Sequence, residues 1–237
     1  MTYLYLVRHG QADRLGKDYD QLTELGHKQA NALGNYFLSQ NIEFDSVFTG
    51  SLKRQKQTME GIAKAFQTEH FCMPEAIVNE SWNEFDPKMW LTLAAKIRHV
   101  DSDFAYNYKN YKEAWEQKSP TTRDHFQLLI QKVLADWVNG VWDPVEPYTF
   151  KEYVDLILGG LASIPENMKS TLVVSSSTPV AIVMGISCKL KMEDYPIFMK
   201  YILNSSLSIF KKSAGIWEPV SFNGTPHLMN PEDKTIV

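Results

Sequence analysis

Three short stretches of this chain carry side chains that could act together on an anion. The first is Arg8-His9-Gly10, directly after an apolar run. An imidazole placed there can serve as a nucleophile, and the neighbouring guanidinium can grip two oxygens in a planar fork. Gly10 would let the backbone come close to an anion. The triplet alone decides little: with uniform residue usage it arises by chance in about 3% of chains this long. A strand-end arginine beside a structural histidine fits it equally. The second stretch is Ser51-Leu52-Lys53-Arg54. If Ser51 caps a helix, Arg54 falls in the first turn, where free amides and the helix dipole favour an anion and disfavour a cation. Something negative should then compensate Arg54, unless it is a solvated surface arginine. The third is Thr171-Leu172-Val173-Val174 followed by Ser175-Ser176-Ser177 and Thr178-Pro179. A strand, a small polar loop and a helix start can cradle phosphate, or can be a capping turn with spare serines.

Acting together, such groups would perform phosphoryl transfer, which needs an in-line nucleophile and dense positive charge around three equatorial oxygens. The leaving oxygen also needs a proton. Asp13, Glu80, Glu84 and Asp86 are candidate acids in loops. Glu84 stands out because Trp82 and Phe85 flank it, and an apolar wall favours a protonated carboxyl. The residues alone do not choose among the four.

The elements that must position these groups follow from apolar spacing. Residues 3–7 form a continuous apolar run, as expected of a central strand in a covered sheet. Thr23 is a plausible N-cap for a helix reaching about Gln40, with Leu25, Ala30, Leu33 and Phe37 on one stripe. Residues 46–48 and 76–79 read as short strands, and Ser51 as the cap of a helix bearing Ile62, Ala63 and Phe66. Residues 83–147 break this rhythm. They hold four of the six tryptophans, Trp90, Trp115, Trp137 and Trp142, and no convincing strand. Their clearest helix would start at Ser119-Pro120 and stop at Gly140. Thr149 to Glu152 fits a capping box before a helix that Pro165 ends. A strand at 171–174, a helix from Thr178-Pro179, and a hairpin over 206–222 turning near Gly215 complete the pattern. It predicts an α/β fold: a three-layer sandwich with a mostly parallel central sheet flanked by helices. The chain reads as one domain, 1–237, with a helical insertion at about 83–147 over the active site.

Composition removes several alternatives. The 237 residues are 44% apolar and 22% charged with a net charge of −4, and no basic block suggests nucleic acid as a partner. No apolar run reaches the roughly 18–20 residues of a membrane span. The opening MTYLYLVRHG lacks a basic n-region and a small-residue cleavage site, so it reads as a buried strand and not a signal peptide. Cys72 and Cys188 are far apart, which points to a reduced, cytoplasmic setting. His27, His70, His99 and His125 read as surface or helix residues without metal-ligand spacing, and neither a metal nor a cofactor is expected.

Taken in order, LVRHGQ (6–11), Leu22-Thr23-Glu24-Leu25-Gly26-His27-Lys28-Gln29-Ala30, SLKRQKQT (51–58), SWNEF (81–85), and Phe222-Asn223 with His227-Leu228 resemble the motifs of the histidine phosphatase superfamily, the phosphoglycerate mutase-like group. The resemblance implies that His9 is a nucleophile forming phosphohistidine, that Arg8 and Arg54 clamp the phosphoryl oxygens, and that Glu84 is general acid and then base. Gln11 and Ser177 would touch substrate, a phosphorylated small molecule, and His227 would be structural. His9 must attack as neutral imidazole, so its other ring nitrogen should donate to a backbone carbonyl. Ser176 departs from the pattern by standing where the family usually has a second histidine. The resemblance implies a metal-independent phosphomonoesterase of reduced rate; a silent phospholigand-binding module and a phosphoglycerate-type mutase are the alternatives. Trp82, Phe85, Lys88 and Trp90 either line a substrate pocket or fill the core of the insertion. No oligomeric state can be read from the residues.

Overall fold

The computed structural model describes residues 2–13, 20–67 and 73–236, apart from the Arg123 side chain; His70 and Cys72 lie outside the described residues. Among the described residues six strands form one sheet in the order β3-β2-β4-β1-β5-β6. They are β1 (Thr2–Arg8), β2 (Ser46–Thr49), β3 (Ile77–Val78), β4 (Ser170–Ser175), β5 (Leu207–Ser213) and β6 (Ile216–Gly224). The β1–β4, β4–β2 and β2–β3 pairs are parallel, and β5 and β6 continue the sheet as an antiparallel hairpin. Leu4, Leu6, Val7, Leu172, Val173 and Val174 are all fully buried, the continuous apolar pattern of strands covered on both faces.

Helices α1 (Glu24–Ser39) and α2 (Lys53–Phe66) cover one face. Leu33, Phe37, Met59, Ile62 and Phe66 from these helices pack with Val7, Val47, Leu172 and Val174 from the strands. Alternation along a strand puts Leu4, Leu6 and Val173 on the opposite face. Helix α7 (Ser177–Ser187) packs against β1 and β6, with Val180 to Val183 buried. A short α8 (Pro196–Met199) follows it.

Residues Phe85–Asp155 form a compact unit of their own, distinct from Met1–Glu84 with Leu156–Val237. It comprises α3 (Pro87–Val100), α4 (Ser102–Glu116), α5 (Thr122–Val138) and the start of α6 (Phe150–Ala162). Trp137 is its centre, packing against Phe85, Phe150 and Tyr153 at ring-centroid distances of 5.5, 5.0 and 5.6 Å. Trp90 packs on Phe126, and both Phe85 and Trp90 are half-buried.

Three expected helix starts move. Leu52, not Ser51, is the N-cap of α2. Ser51 is held elsewhere: its N–H donates to Asn83 Oδ1 (2.7 Å) and its Oγ accepts from Asn83 Nδ2 (2.8 Å). Helix α5 begins at Thr122, and Ser119 and Pro120 form the preceding turn, closed by Thr122 Oγ1 donating to the Ser119 carbonyl. Helix α7 begins one residue before Thr178, with Ser176 as its N-cap. The capping box at Thr149 and Glu152 forms as the spacing predicts, as does the hairpin turn at Ala214-Gly215, where both residues have positive φ.

Candidate active site

The carboxyl ends of β1 and β4 lie side by side, with Arg8 in register with Ser175. The next residues, His9 and Ser176, therefore leave the sheet abreast of each other, the usual place for a ligand site in an open parallel sheet. His9 is almost fully buried. Its N–H donates to the Ser175 carbonyl (2.9 Å), and its own carbonyl accepts from Ser205 N–H (3.0 Å). Its Nδ1 lies 2.7 Å from the Gly10 carbonyl, and Arg54 Nε donates to its Nε2 at 3.1 Å. A carbonyl can only accept and a guanidinium N–H can only donate. The ring is therefore the neutral tautomer with hydrogen on Nδ1 and the lone pair on Nε2, assigned from its partners.

Arg54 lies in the first turn of α2, as its sequence position requires. The compensating negative charge is Asp20. Its Oδ1 is 2.5 Å from Arg54 Nη1, and its Oδ2 accepts from Lys53 N–H at 2.7 Å. One carboxylate thus caps α2 and holds the arginine. Arg8 is buried with its guanidinium donating to the Ile202 carbonyl.

Glu84 sits at the other helix start. Its Oε2 accepts from Ser177 Oγ (3.1 Å) and from Thr178 N–H (3.3 Å). The α7 N-terminus expected to cradle phosphate thus holds the chain's own carboxylate. The neighbouring aromatics turn elsewhere: Trp82 is fully buried, with its ring against Gly160, and Phe85 packs on Trp137. Ser176 is fully buried and its Oγ accepts from Gln55 Nε2 at 3.0 Å. Of the other candidate acids, Asp86 is the N-cap of α3, accepting from Lys88 N–H, and Glu80 opens a 3₁₀ turn.

The loop carrying His9 is braced by backbone contact. A Cβ on Gly10 would fall 2.6 Å from the Gly26 carbonyl oxygen, and one on Gly26 would fall 2.2 Å from that of Gln11. Gly10 therefore makes room for α1, not for an anion as its sequence position suggests. Thr23 caps α1 by accepting from Gly26 N–H (3.0 Å) and donates to Gln11 Oε1 (2.8 Å). Gln29 Oε1 accepts from Gln11 N–H (2.8 Å), and Thr58 Oγ1 from Gly10 N–H (3.0 Å).

His227 lies at a second bracing point. Its Nε2 is 2.8 Å from Ser205 Oγ, Ser205 has φ +53°, and its N–H holds the His9 carbonyl. Burial pushes the His227 imidazole down to about 4. Among the described residues no three His, Cys, Asp or Glu side chains cluster as a metal site would require, and no helix is long and apolar enough to cross a membrane.

The family model for the histidine phosphatase superfamily (branch 1) matches residues 4–143. The chain belongs to the histidine phosphatase superfamily. Two curated relatives are similar to parts of it. The serine/threonine-protein phosphatase Pgam5, mitochondrial, of Caenorhabditis elegans is 26% identical over 139 residues, 54% of this chain and 45% of that protein. The broad-specificity phosphatase YOR283W of Saccharomyces cerevisiae is 34% identical over 73 residues, 28% of this chain and 32% of that protein. The matched stretches thus span less than half of either relative. In fold, the chain is similar to the crystal structure of phosphoserine phosphatase from Entamoeba histolytica in complex with 3-phosphoglyceric acid. That likeness has a TM-score of 0.61 and 21% identity, and covers 97% of this chain and 100% of that one.

For this histidine phosphatase chain, the structure brings His9 and Arg54 into direct contact and joins Glu84 to Ser177. Sequence reading missed Asp20, Gln55, Asn204 and Ser205. Asp20 had a signal, the uncompensated cation in the first turn of α2. Asn204, whose Nδ2 lies 3.4 Å from the His9 carbonyl, and Ser205 had none, because they reach His9 only through the fold.

Proposed function

We propose that the protein is a metal-independent phosphomonoesterase acting through a phosphohistidine at His9. The observation that carries this reading is the His9 ring, whose Nδ1 is held on the Gly10 carbonyl while Nε2 faces Arg54 with its lone pair. A phosphate monoester entering here takes over the Arg54 contact, so the guanidinium moves its hydrogen bonds from imidazole to phosphoryl oxygens. Nε2 then attacks phosphorus in line with the leaving oxygen, with Arg8 adding positive charge. Glu84 gives its proton to the leaving oxygen and afterwards takes one from water. Gln11 and Ser177 help seat the substrate, a phosphorylated small molecule. Ser176 stands in for the family's second histidine as an uncharged donor.

Hydrolysis of an aryl phosphate in the presence of chelator tests this. The wild-type protein should turn over while His9→Ala does not. Equal turnover by the two proteins would contradict the reading.

A further inference from the structure

Gln55 is fully buried in the first turn of α2, and the resemblance gives it no role. Its amide orientation is fixed by two partners. Nε2 donates to the Trp82 carbonyl (2.9 Å), where a carbonyl oxygen could not bond, and Oε1 accepts from Leu52 N–H (3.3 Å). The second Nε2 hydrogen points to Ser176 Oγ, 3.0 Å away. An amide nitrogen has no lone pair to offer, so Ser176 must accept this bond. Its own hydrogen is therefore directed elsewhere, and among the described residues Ser176 Oγ makes no other hydrogen bond. Ser176 is also the residue abreast of His9 where β4 ends.

From this geometry we infer that Gln55 is a positioning residue that makes Ser176 a hydrogen-bond donor to the phosphoryl group on His9. The inference rests on the phosphomonoesterase reading above. With Gln55 saturating one lone pair, the serine hydroxyl loses the option of donating into the α2 side and is oriented before the reaction begins. A preorganised donor aimed at charge that develops in the transition state acts on kcat more than on KM. The second histidine usual in the family would act through its own imidazole; here the donor is built from two neutral side chains on different elements.

The test is para-nitrophenyl phosphate hydrolysis in chelator by wild type, Ser176→Ala, Gln55→Met, the double variant and Gln55→Glu, with His9→Ala as blank. Ser176→Ala and Gln55→Met should each lower kcat by roughly ten- to a hundredfold with KM little changed. The double variant should be no slower than the slower single one, because both remove the same donor. Gln55→Glu, whose carboxylate accepts the serine hydrogen, should lose as much at neutral pH and recover as the pH falls through the carboxyl range. Wild-type kcat in Gln55→Met, or a double variant losing the product of the single losses, would overturn the inference while leaving the phosphomonoesterase reading intact. If the methionine variant does not fold, a flat relative pH profile for Gln55→Glu overturns it instead. Wild-type turnover no higher than that of His9→Ala would overturn the reading itself and the inference with it.

Discussion

At the scale of single residues, the site is organised by carboxylates that belong to the chain. Asp20 occupies the N-terminus of α2 and Glu84 that of α7, each where free amides favour an anion. In the proposed reaction Asp20 competes with substrate for Arg54. Asp20→Asn keeps the shape and removes the charge. It should cost about 1–2 kcal/mol of stability, since the Arg54 side chain is 9% exposed and that of Asp20 31%. It should also tighten inorganic phosphate severalfold, as measured by calorimetry; weaker phosphate binding would contradict the competition. His227 carries a pH dependence. Its imidazole is held at about 4 by burial, against an unfolded value of about 6.5. Below pH 6.5 the unfolded chain takes up a proton that the folded protein refuses, so stability is full above that pH and falls toward pH 4. Among the described residues the buried Nδ1 of His227 has no partner, so they offer a second ring proton nothing to bond. Denaturant unfolding should show about 2 kcal/mol less stability from this group at pH 4.5 than at pH 7, and His227→Gln should remove that difference.

At the scale of elements, the sequence motifs report how α1 and α2 are fixed against the His9 loop. Thr23, Gly26 and Gln29 in one motif and Thr58 in another hold Gln11 and Gly10. Gly26→Ala places a methyl 2.2 Å from the Gln11 carbonyl oxygen. It should cost about 2–3 kcal/mol and lower kcat together, as helix and loop part. Unchanged stability would show that the close approach is dispensable. The α/β alternation, the parallel strands and the hairpin were legible because apolar period and turn residues are local signals. The helix starts at Ser51, Ser119 and Thr178 were misread because each depends on a partner distant in sequence or on a competing local turn. Asn83 holds Ser51, and nothing near Ser51 announces it.

At the scale of the molecule, His9, the proposed nucleophile, is supported from both ends of the chain. Gln29 donates to the Asp233 carbonyl and Thr235 Oγ1, and Thr235 Oγ1 donates to Asn204, whose amide nitrogen lies 3.4 Å from the His9 carbonyl. Arg8, His9, Arg54, Glu84 and Ser176 were nameable as candidates from the ordered motifs. The groups that orient them were not, because Gln55, Asn204 and Ser205 acquire their roles only when strands more than a hundred residues apart pair. All of this arrangement serves a neutral imidazole with its lone pair at Nε2. The most direct measurement is to react the protein briefly with an aryl phosphate, quench in alkali and locate phosphate by mass spectrometry. Acid-labile phosphate on His9, absent from His9→Ala, is the predicted result. Substrate consumption with no phosphate on His9, or with equal labelling of the alanine variant, would contradict the account.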